Sequence, residues 1–149
     1  MQKEQAVLLS GNEAVAQAAW EAGVKAACGN VKTAEIMQCL SGMNVALFPE
    51  KEDTAAFETA AAGARGIICL ENEKGYENHA ADAARPGANA GRVVVCTDGF
   101  AGRKLPVLEP ADSAECLSFT KLAFEVSERL NTPVLLRLTA NVAHTRSAV

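Results

Sequence analysis

Short apolar runs alternate with helical patterns along this chain of 149 residues, and this alternation most constrains its fold. Six runs read as strands, beginning near Val24, Val45, Gly66, Arg92, Val107 and Val134. Runs that are apolar at nearly every position are typical of parallel strands buried on both faces. Strands that alternate with helices favour a doubly wound sheet. We therefore predict one α/β domain over residues 1–149, with three layers, a mostly parallel sheet and helices on both faces.

Two capping patterns mark the starts of helices. Ser10 and Glu13 have the spacing in which each side chain bonds the backbone N–H of the other, and Asp112 and Glu115 repeat it. Apolar residues then recur at intervals of three and four, as on one face of a helix. The predicted helices cover residues 10–23, 33–40, 51–63 and 112–130. The polar stretch 71–90 predicts at most two helical turns, around His79.

Charge and hydropathy exclude two classes of partner. The net charge is −4, and the 14 Lys and Arg residues are scattered rather than gathered in a stripe, so we expect no nucleic-acid binding. No apolar run reaches the ~18 residues of a membrane span, and the first residues lack the pattern of a signal peptide. We expect a cytoplasmic protein that does not bind membranes.

Several common kinds of site have no motif here. The five cysteines form no C-x-x-C pair and have no histidine at a ligand spacing, which predicts buried thiols rather than a metal site. No glycine-rich phosphate loop follows a strand. No serine or cysteine lies in a nucleophile-elbow sequence, and we expect both histidines, His79 and His144, at surface or turn positions.

Glu50 is the first candidate for a working residue. It follows the strand Val45–Phe48 and Pro49, directly before a predicted helix. Open α/β sheets bind their ligands outside the carboxyl ends of the strands, which is where this carboxylate falls. A second interpretation stays open, because a glutamate in the first turn of a helix is also stabilised by the helix dipole.

Several longer motifs, in the order in which they occur along the chain, resemble those of a known family. The first helix begins with Gly-Asn-Glu-Ala and continues to Glu-Ala-Gly-Val, which is similar to the start of the thiamine-diphosphate pyrimidine-binding domain of indolepyruvate:ferredoxin oxidoreductase α subunits. The last third of the chain resembles the same domain. The matching segments, about half of the chain, are Leu8–Ala16, Glu21–Val24, Leu105–Asp112, Thr120–Glu128, Thr132–Arg137 and Val142–Arg146.

This resemblance implies roles for particular residues. In the family a glutamate after the second strand contacts N1′ of the cofactor's aminopyrimidine and favours its imino tautomer, and the matching residue is Glu50. Gly29 and Asn30 fall in the family's cofactor loop, so the resemblance makes them cofactor-binding residues together with Glu50. Gly11, Asn12 and Glu13, at the start of the first helix, would lie on the substrate side.

Departures from the family pattern accompany these matches. The family's Gly-Tyr-Pro-Gly-Thr-Pro-Ser loop is replaced by residues 29–35, which lack both prolines. Its Lys-His-Val-Gly segment is replaced by residues 71–76, and a longer loop after the fourth strand is reduced to residues 98–103. The Gly-Asp-Gly motif that holds the diphosphate and Mg²⁺ is absent from the sequence, as is any cysteine pattern for an iron–sulfur cluster.

The resemblance therefore implies a subunit that is not catalytic alone. It would supply the pyrimidine half of a thiamine-diphosphate site in a 2-oxoacid:ferredoxin oxidoreductase, binding neither the whole cofactor nor a metal by itself. Diphosphate-domain and ferredoxin-type partner chains, or a second copy of this chain, would supply the rest. The alternative is a structural or regulatory subunit that kept the fold and lost the cofactor.

Overall fold

The computed structural model of the protein describes residues 7–49, 62–70, 90–97 and 105–149. Its helices are α1 (Gly11–Glu21), α2 (Glu35–Leu40), α3 (Ser113–Leu130) and α4 (Ala140–His144). Its strands are β1 (Leu8–Ser10), β2 (Ala26–Cys28), β3 (Ala46–Phe48), β4 (Gly66–Cys69), β5 (Arg92–Thr97), β6 (Val107–Leu108), β7 (Val134–Leu138) and β8 (Arg146–Ala148). None of the helices in these ranges combines the length and apolar character that crossing a bilayer requires.

Six strands form one parallel sheet in the order β3-β2-β4-β5-β7-β6. At its centre Ala27 pairs with Leu47 on one side and Ile67 on the other. β1 and β8 make a separate antiparallel pair, in which Leu9 lies opposite Ser147. The predicted α/β class and mostly parallel sheet are confirmed.

Both faces of the sheet are buried, as the continuous apolar runs predicted. On one face Ile67, Val93 and Leu136 pack with α1, α2 and α3 in one apolar core. The alternate residues, such as Ile68 and Val94, form a second core on the opposite face. The helices predicted over 51–63 and around His79 lie almost entirely outside the described residues.

α1 packs between α2 and α3 and is buried on most of its surface. Its interior residues are small, with Ala14, Ala16, Ala18 and Ala19 all fully buried. Alanine side chains let neighbouring helix backbones approach closely, so one short helix contacts two others. The larger Trp20, near its carboxyl end, is 51% exposed.

Two helix starts differ in detail from the capping patterns. α2 begins at Glu35 rather than near Thr33, because the N–H groups of Thr33 and Ala34 donate to the Asn30 carbonyl in a preceding turn. At α3 the Asp112 carboxylate accepts from the N–H of Glu115 (2.8 Å) as predicted. The Glu115 carboxylate, however, accepts from the N–H of Ala111 (2.9 Å) instead of Asp112. The reciprocal capping box predicted there is therefore wrong by one residue.

The strand order reverses between β2 and β4. β2 leads along the chain to β3 on one side, whereas β4 leads to β5 on the other. Parallel sheets open a crevice at the carboxyl ends of the two strands that flank such a reversal. In this sheet those ends are Cys28 and Cys69, so the crevice lies beside Gly29 and Leu70.

The contact between Gly91 and α3 supplies a test of this packing. A Cβ added at Gly91 would lie 2.8 Å from the carbonyl oxygen of Phe124 and 3.2 Å from its Cα, and backbone atoms move only at a cost. We predict that Gly91→Ala lowers the free energy of unfolding by about 1–3 kcal/mol in urea denaturation.

Gly42→Ala is the matched control, because a Cβ there meets no atom within 4 Å. We expect it to leave stability unchanged or to raise it by about 0.4–1 kcal/mol. Equal effects of the two substitutions would contradict the close contact between Gly91 and α3.

Candidate functional site

A cleft of about 340 Å³ lies at the carboxyl edge of the sheet. Leu70, Val95 and Leu138 line it from the ends of three parallel strands. α1 and α2 contribute Asn12 and Ile36 from their first turns. This is the edge at which the sequence predicted ligand binding, and the cleft is a mainly apolar concavity of ordinary ligand-site size.

A capping box at the start of α1 holds two carboxylates beside the cleft. The Ser10 N–H donates to Glu13 Oε1 (2.9 Å), and the Glu13 N–H donates to Ser10 Oγ (3.1 Å). The Ser10 hydroxyl also donates to Glu35 Oε1 (3.1 Å), which links the first turns of α1 and α2. The pKa of Glu13 is lowered chiefly by the Ser10 backbone N–H, with the charge of Arg146 adding to the effect against the opposing effect of burial.

The C-terminal segment places two basic side chains near these carboxylates. Arg146 Nη2 lies 3.4 Å from Glu13 Oε1, and His144 Nδ1 lies 3.9 Å from Glu35 Oε2. The His144 side chain is 68% exposed, so it is a surface histidine as expected, although it stands at the mouth of the cleft. It carries a charge only when protonated.

Three of the predicted site residues have clear structural positions. Gly11 packs directly under α4, where an added Cβ would lie 2.9 Å from the carbonyl carbon of Val142. Gly29 has no room for a Cβ either, since Met37 Cγ would be 2.9 Å away. Asn30 forms a local turn in which its side-chain oxygen accepts from the N–H of Lys32 (2.9 Å). Of the residues predicted from the sequence, Asn12 is the one that lines the cleft in the part of the chain described.

Glu50 lies outside the described residues, but the residues directly before it are placed. The Gly29 N–H donates to the Phe48 carbonyl (3.0 Å), and the Cys28 thiol lies 3.7 Å from the Pro49 carbonyl oxygen. The carboxyl end of β3 is thus fixed against the carboxyl end of β2, next to the point where the strand order reverses. The role of Glu50 stays a prediction.

Two cysteines line the cleft. Cys69 and Cys96 are both at least nine-tenths buried. Burial raises the pKa of Cys96 to about 11, against a smaller lowering by Arg137, so its thiol stays protonated at neutral pH. Within the described residues no group of His, Cys, Asp or Glu side chains is arranged to hold a metal ion.

Glu35 was not identified as a site residue from the sequence. It stands at the first position of α2, where a glutamate is ordinary favourable chemistry with the helix dipole. Ser10, 25 positions earlier in the chain, bonds Glu35 at 3.1 Å. His144, 109 positions later, lies 3.9 Å from it. No local spacing signals a contact of that kind, so only the tertiary structure identifies it.

Comparison with known proteins confirms the resemblance seen in the motifs. No family model matches the chain. Three curated relatives are named indolepyruvate oxidoreductase subunit IorA. This chain is 35% identical to the one from Methanothermobacter thermautotrophicus, 31% to the one from Archaeoglobus fulgidus and 31% to the one from Pyrococcus abyssi. Each alignment covers 96% of this chain but only 26–28% of the relative. The chain therefore spans about a quarter of the length of these relatives. Each relative is called a subunit, which implies partner chains for those proteins.

The alignment with the first of these relatives spans 170 residues, more than the 149 of this chain. The relative therefore carries insertions that this chain lacks. Among solved structures, a 2-oxoglutarate:ferredoxin oxidoreductase from Magnetococcus marinus covers 98% of this chain with a TM-score of 0.74. The match covers 31% of that protein at 15% identity, so it supports the fold alone.

The lowered pKa of Glu13 predicts a pH-dependent contribution to stability. A carboxylate whose pKa is lower in the folded state stabilises the fold at pH values above its ordinary pKa of 4.5. This stabilisation is lost as the pH falls through the pKa of the folded state. Glu13→Gln should therefore reduce the free energy of unfolding at pH 7, by only about 0.5 kcal/mol because water screens the partly exposed side chain. The difference should become smaller in urea denaturation at about pH 3, below the ordinary pKa of the carboxyl group.

Glu21→Gln, at the other end of α1, is the control. Glu21 pairs with Lys121 across 3.6 Å on the surface, and we expect a change close to zero at both pH values. A loss of stability in Glu13→Gln that persisted unchanged at about pH 3 would contradict the assignment to the Glu13 charge.

Proposed function

We propose that this homologue of the indolepyruvate oxidoreductase IorA subunits supplies the pyrimidine half of a thiamine-diphosphate site in a 2-oxoacid:ferredoxin oxidoreductase of the indolepyruvate type. One observation carries the proposal. The end of β3, which leads into Glu50, is fixed at the carboxyl edge of the sheet by contacts with Cys28 and Gly29. That edge borders the crevice where α/β sheets bind their ligands.

The residues of this edge fit part of such a cofactor rather than all of it. The cleft is mainly apolar and carries a few polar groups, including Asn12 and Glu35, as a heterocyclic ring requires. Among the described residues nothing resembles a cradle of basic side chains for a diphosphate: Arg146 is paired with Glu13, and Glu35 adds negative charge. A partner chain would have to hold the diphosphate and its Mg²⁺.

In the proposed reaction a 2-oxoacid such as an aryl pyruvate loses CO₂ as the bond between its carbonyl carbon and carboxylate breaks. The acyl group forms a C–S bond with coenzyme A, whose thiol proton is released, and two electrons pass to ferredoxin. When bound, thiamine diphosphate supplies the carbanion chemistry for the carbonyl carbon. Glu50 of this chain would hold a proton at N1′ of the pyrimidine, and a glutamate in that role needs a raised pKa.

A second candidate function is a structural or regulatory subunit without the cofactor. This chain has 149 residues and its alignment with the first relative spans 170, so it lacks segments that the relative has, and this favours the second function. The segments 29–35 and 71–76, which replace loops of the family, favour it as well. The close packing of Gly29 against Met37 and Cys69 serves the fold in either case. The two functions differ in whether Glu50 affects any activity.

Calorimetry with thiamine diphosphate and Mg²⁺ tests the proposal on the chain alone and on the chain with its co-purified partners. We expect no binding by the chain alone and binding by the complex. Glu50→Gln should lower turnover by about 10²–10⁴-fold, since its amide cannot exchange a proton with the ring.

Glu52→Gln is the matched control, two residues along the same segment, and we expect it to retain turnover. Two results together would establish the cofactor-free subunit instead: no binding in either preparation, and no effect of Glu50→Gln on any activity of the complex.

A further inference from the structure

The longest helix, α3, keeps an apolar stripe at its surface. Phe119, Leu122 and Val126 follow one another at intervals of three and four residues, which places them along one line of the helix. Phe119 and Val126 are only partly buried, and Leu122 is 42% exposed. Leu130, one turn further on, is 58% exposed. The described elements on which α3 chiefly packs are α1, β5, β7 and β8, and they leave this stripe open on one side.

The spacing of the stripe is that of a helix that pairs with another helix. Two charged residues continue the same line, so that Glu115, Phe119, Leu122, Val126 and Arg129 follow one another at intervals of four and three. A repeat with this spacing forms the seam of two-stranded coiled coils. A single exposed leucine needs no partner, whereas a continuous row of apolar residues marks a contact surface. This face of α3 is therefore suited to a second helix.

The charges at the two ends of the stripe select an antiparallel partner of the same sequence. Leu122 is the midpoint, with Glu115 seven residues before it and Arg129 seven residues after it. In a second copy related by a two-fold axis near Leu122, Arg129 of each chain meets Glu115 of the other. A parallel copy would align like charges instead, and flanking charges of this kind set the orientation of paired helices.

Both charged side chains are available for such a contact. Arg129 is exposed and makes no ion pair within the described residues. Glu115 Oε1 accepts the N–H of Ala111 (2.9 Å), which leaves its second oxygen for another donor. No described basic side chain is paired with the Glu115 carboxylate. The two charges can therefore attract a partner.

We propose that a second copy of this chain packs on α3, so that the two α3 helices lie antiparallel in a homodimer. The apolar residues from Phe119 to Val126 are buried at the centre of this interface, and two symmetric pairs of Glu115 with Arg129 close its ends. None of these residues lines the cleft. The inference is therefore independent of the proposed function.

Sedimentation velocity of the full chain tests the proposal, at concentrations from about 1 µM to about 500 µM, the range of weak protein interfaces. We expect a reversible dimer of twice the 15.6 kDa chain mass. Its Kd should be about 10–100 µM, because a single pair of helices buries a small interface.

Leu122→Ser should raise this Kd by about tenfold or more, since it removes apolar area from both copies. Val31→Ser is the matched control. Val31 is 44% exposed, close to the 42% of Leu122, and lies outside α3. We expect that variant to dimerise like the unmodified chain.

Charge reversal tests the orientation. Arg129→Glu places like charges at both ends of the antiparallel interface and should raise the Kd by about tenfold at low salt. Glu115→Arg should do the same. An equal mixture of the two variants should dimerise again, because opposite charges then meet at both ends, and this rescue also shows that both variants fold. Lys25→Glu reverses an exposed charge outside α3 and should have no effect.

Three results would overturn the inference. The first is a chain that stays monomeric at the highest concentration, and release of a co-purified partner by Leu122→Ser would then assign the stripe to that partner. The second is a dimer that Leu122→Ser leaves intact, since it must form through another surface. The third is a dimer that Leu122→Ser weakens and Arg129→Glu does not, because a parallel pair only exchanges one like-charge contact for another.

Discussion

Close packing around α1 depends on the small side chains of that helix. Four buried alanines allow α2 and α3 to lie directly against it, and Gly11 lets the backbone of α4 rest on its first turn. Because α4 is seated there, Ala143 and His144 form one side of the cleft. Larger side chains at the buried positions of α1 would push these elements apart. The shape of the cleft therefore depends on the small side chains of this helix.

The polar contacts around Ser10 hold the same region together from the solvent side. Ser10 joins Glu13 and Glu35. At the start of α3, the Ser113 hydroxyl donates to the Leu9 carbonyl (2.7 Å) and the Ser113 N–H donates to Ser147 Oγ (3.1 Å). Three helix starts and the last strand therefore meet at one edge of the sheet. Asn12, in the first turn of α1, lines the cleft at this edge.

Sequence patterns predicted most of the sheet because they are local. Buried parallel strands read as continuous apolar runs, and the runs at Gly66 and Val134 match β4 and β7 closely. The elements after Leu138 were missed. α4 has five residues and β8 has three, too few for a period to show, and β8 pairs with β1 from the opposite end of the chain. The same limit applies to the site: Asn12 was identified through a family motif, whereas Glu35 joins it only through tertiary contacts.

Hydrogen–deuterium exchange of the chain with its co-purified partners, measured with and without thiamine diphosphate and Mg²⁺, tests the claim that the ligand lies at the carboxyl edge of the sheet. We predict slower exchange in peptides that span residues 28–37 and 138–144 when the cofactor is present. Peptides that span residues 62–66 and 90–92, at the opposite edge, should exchange at the same rate in both states. Slower exchange confined to that opposite edge, or no change anywhere in the chain, would contradict the account.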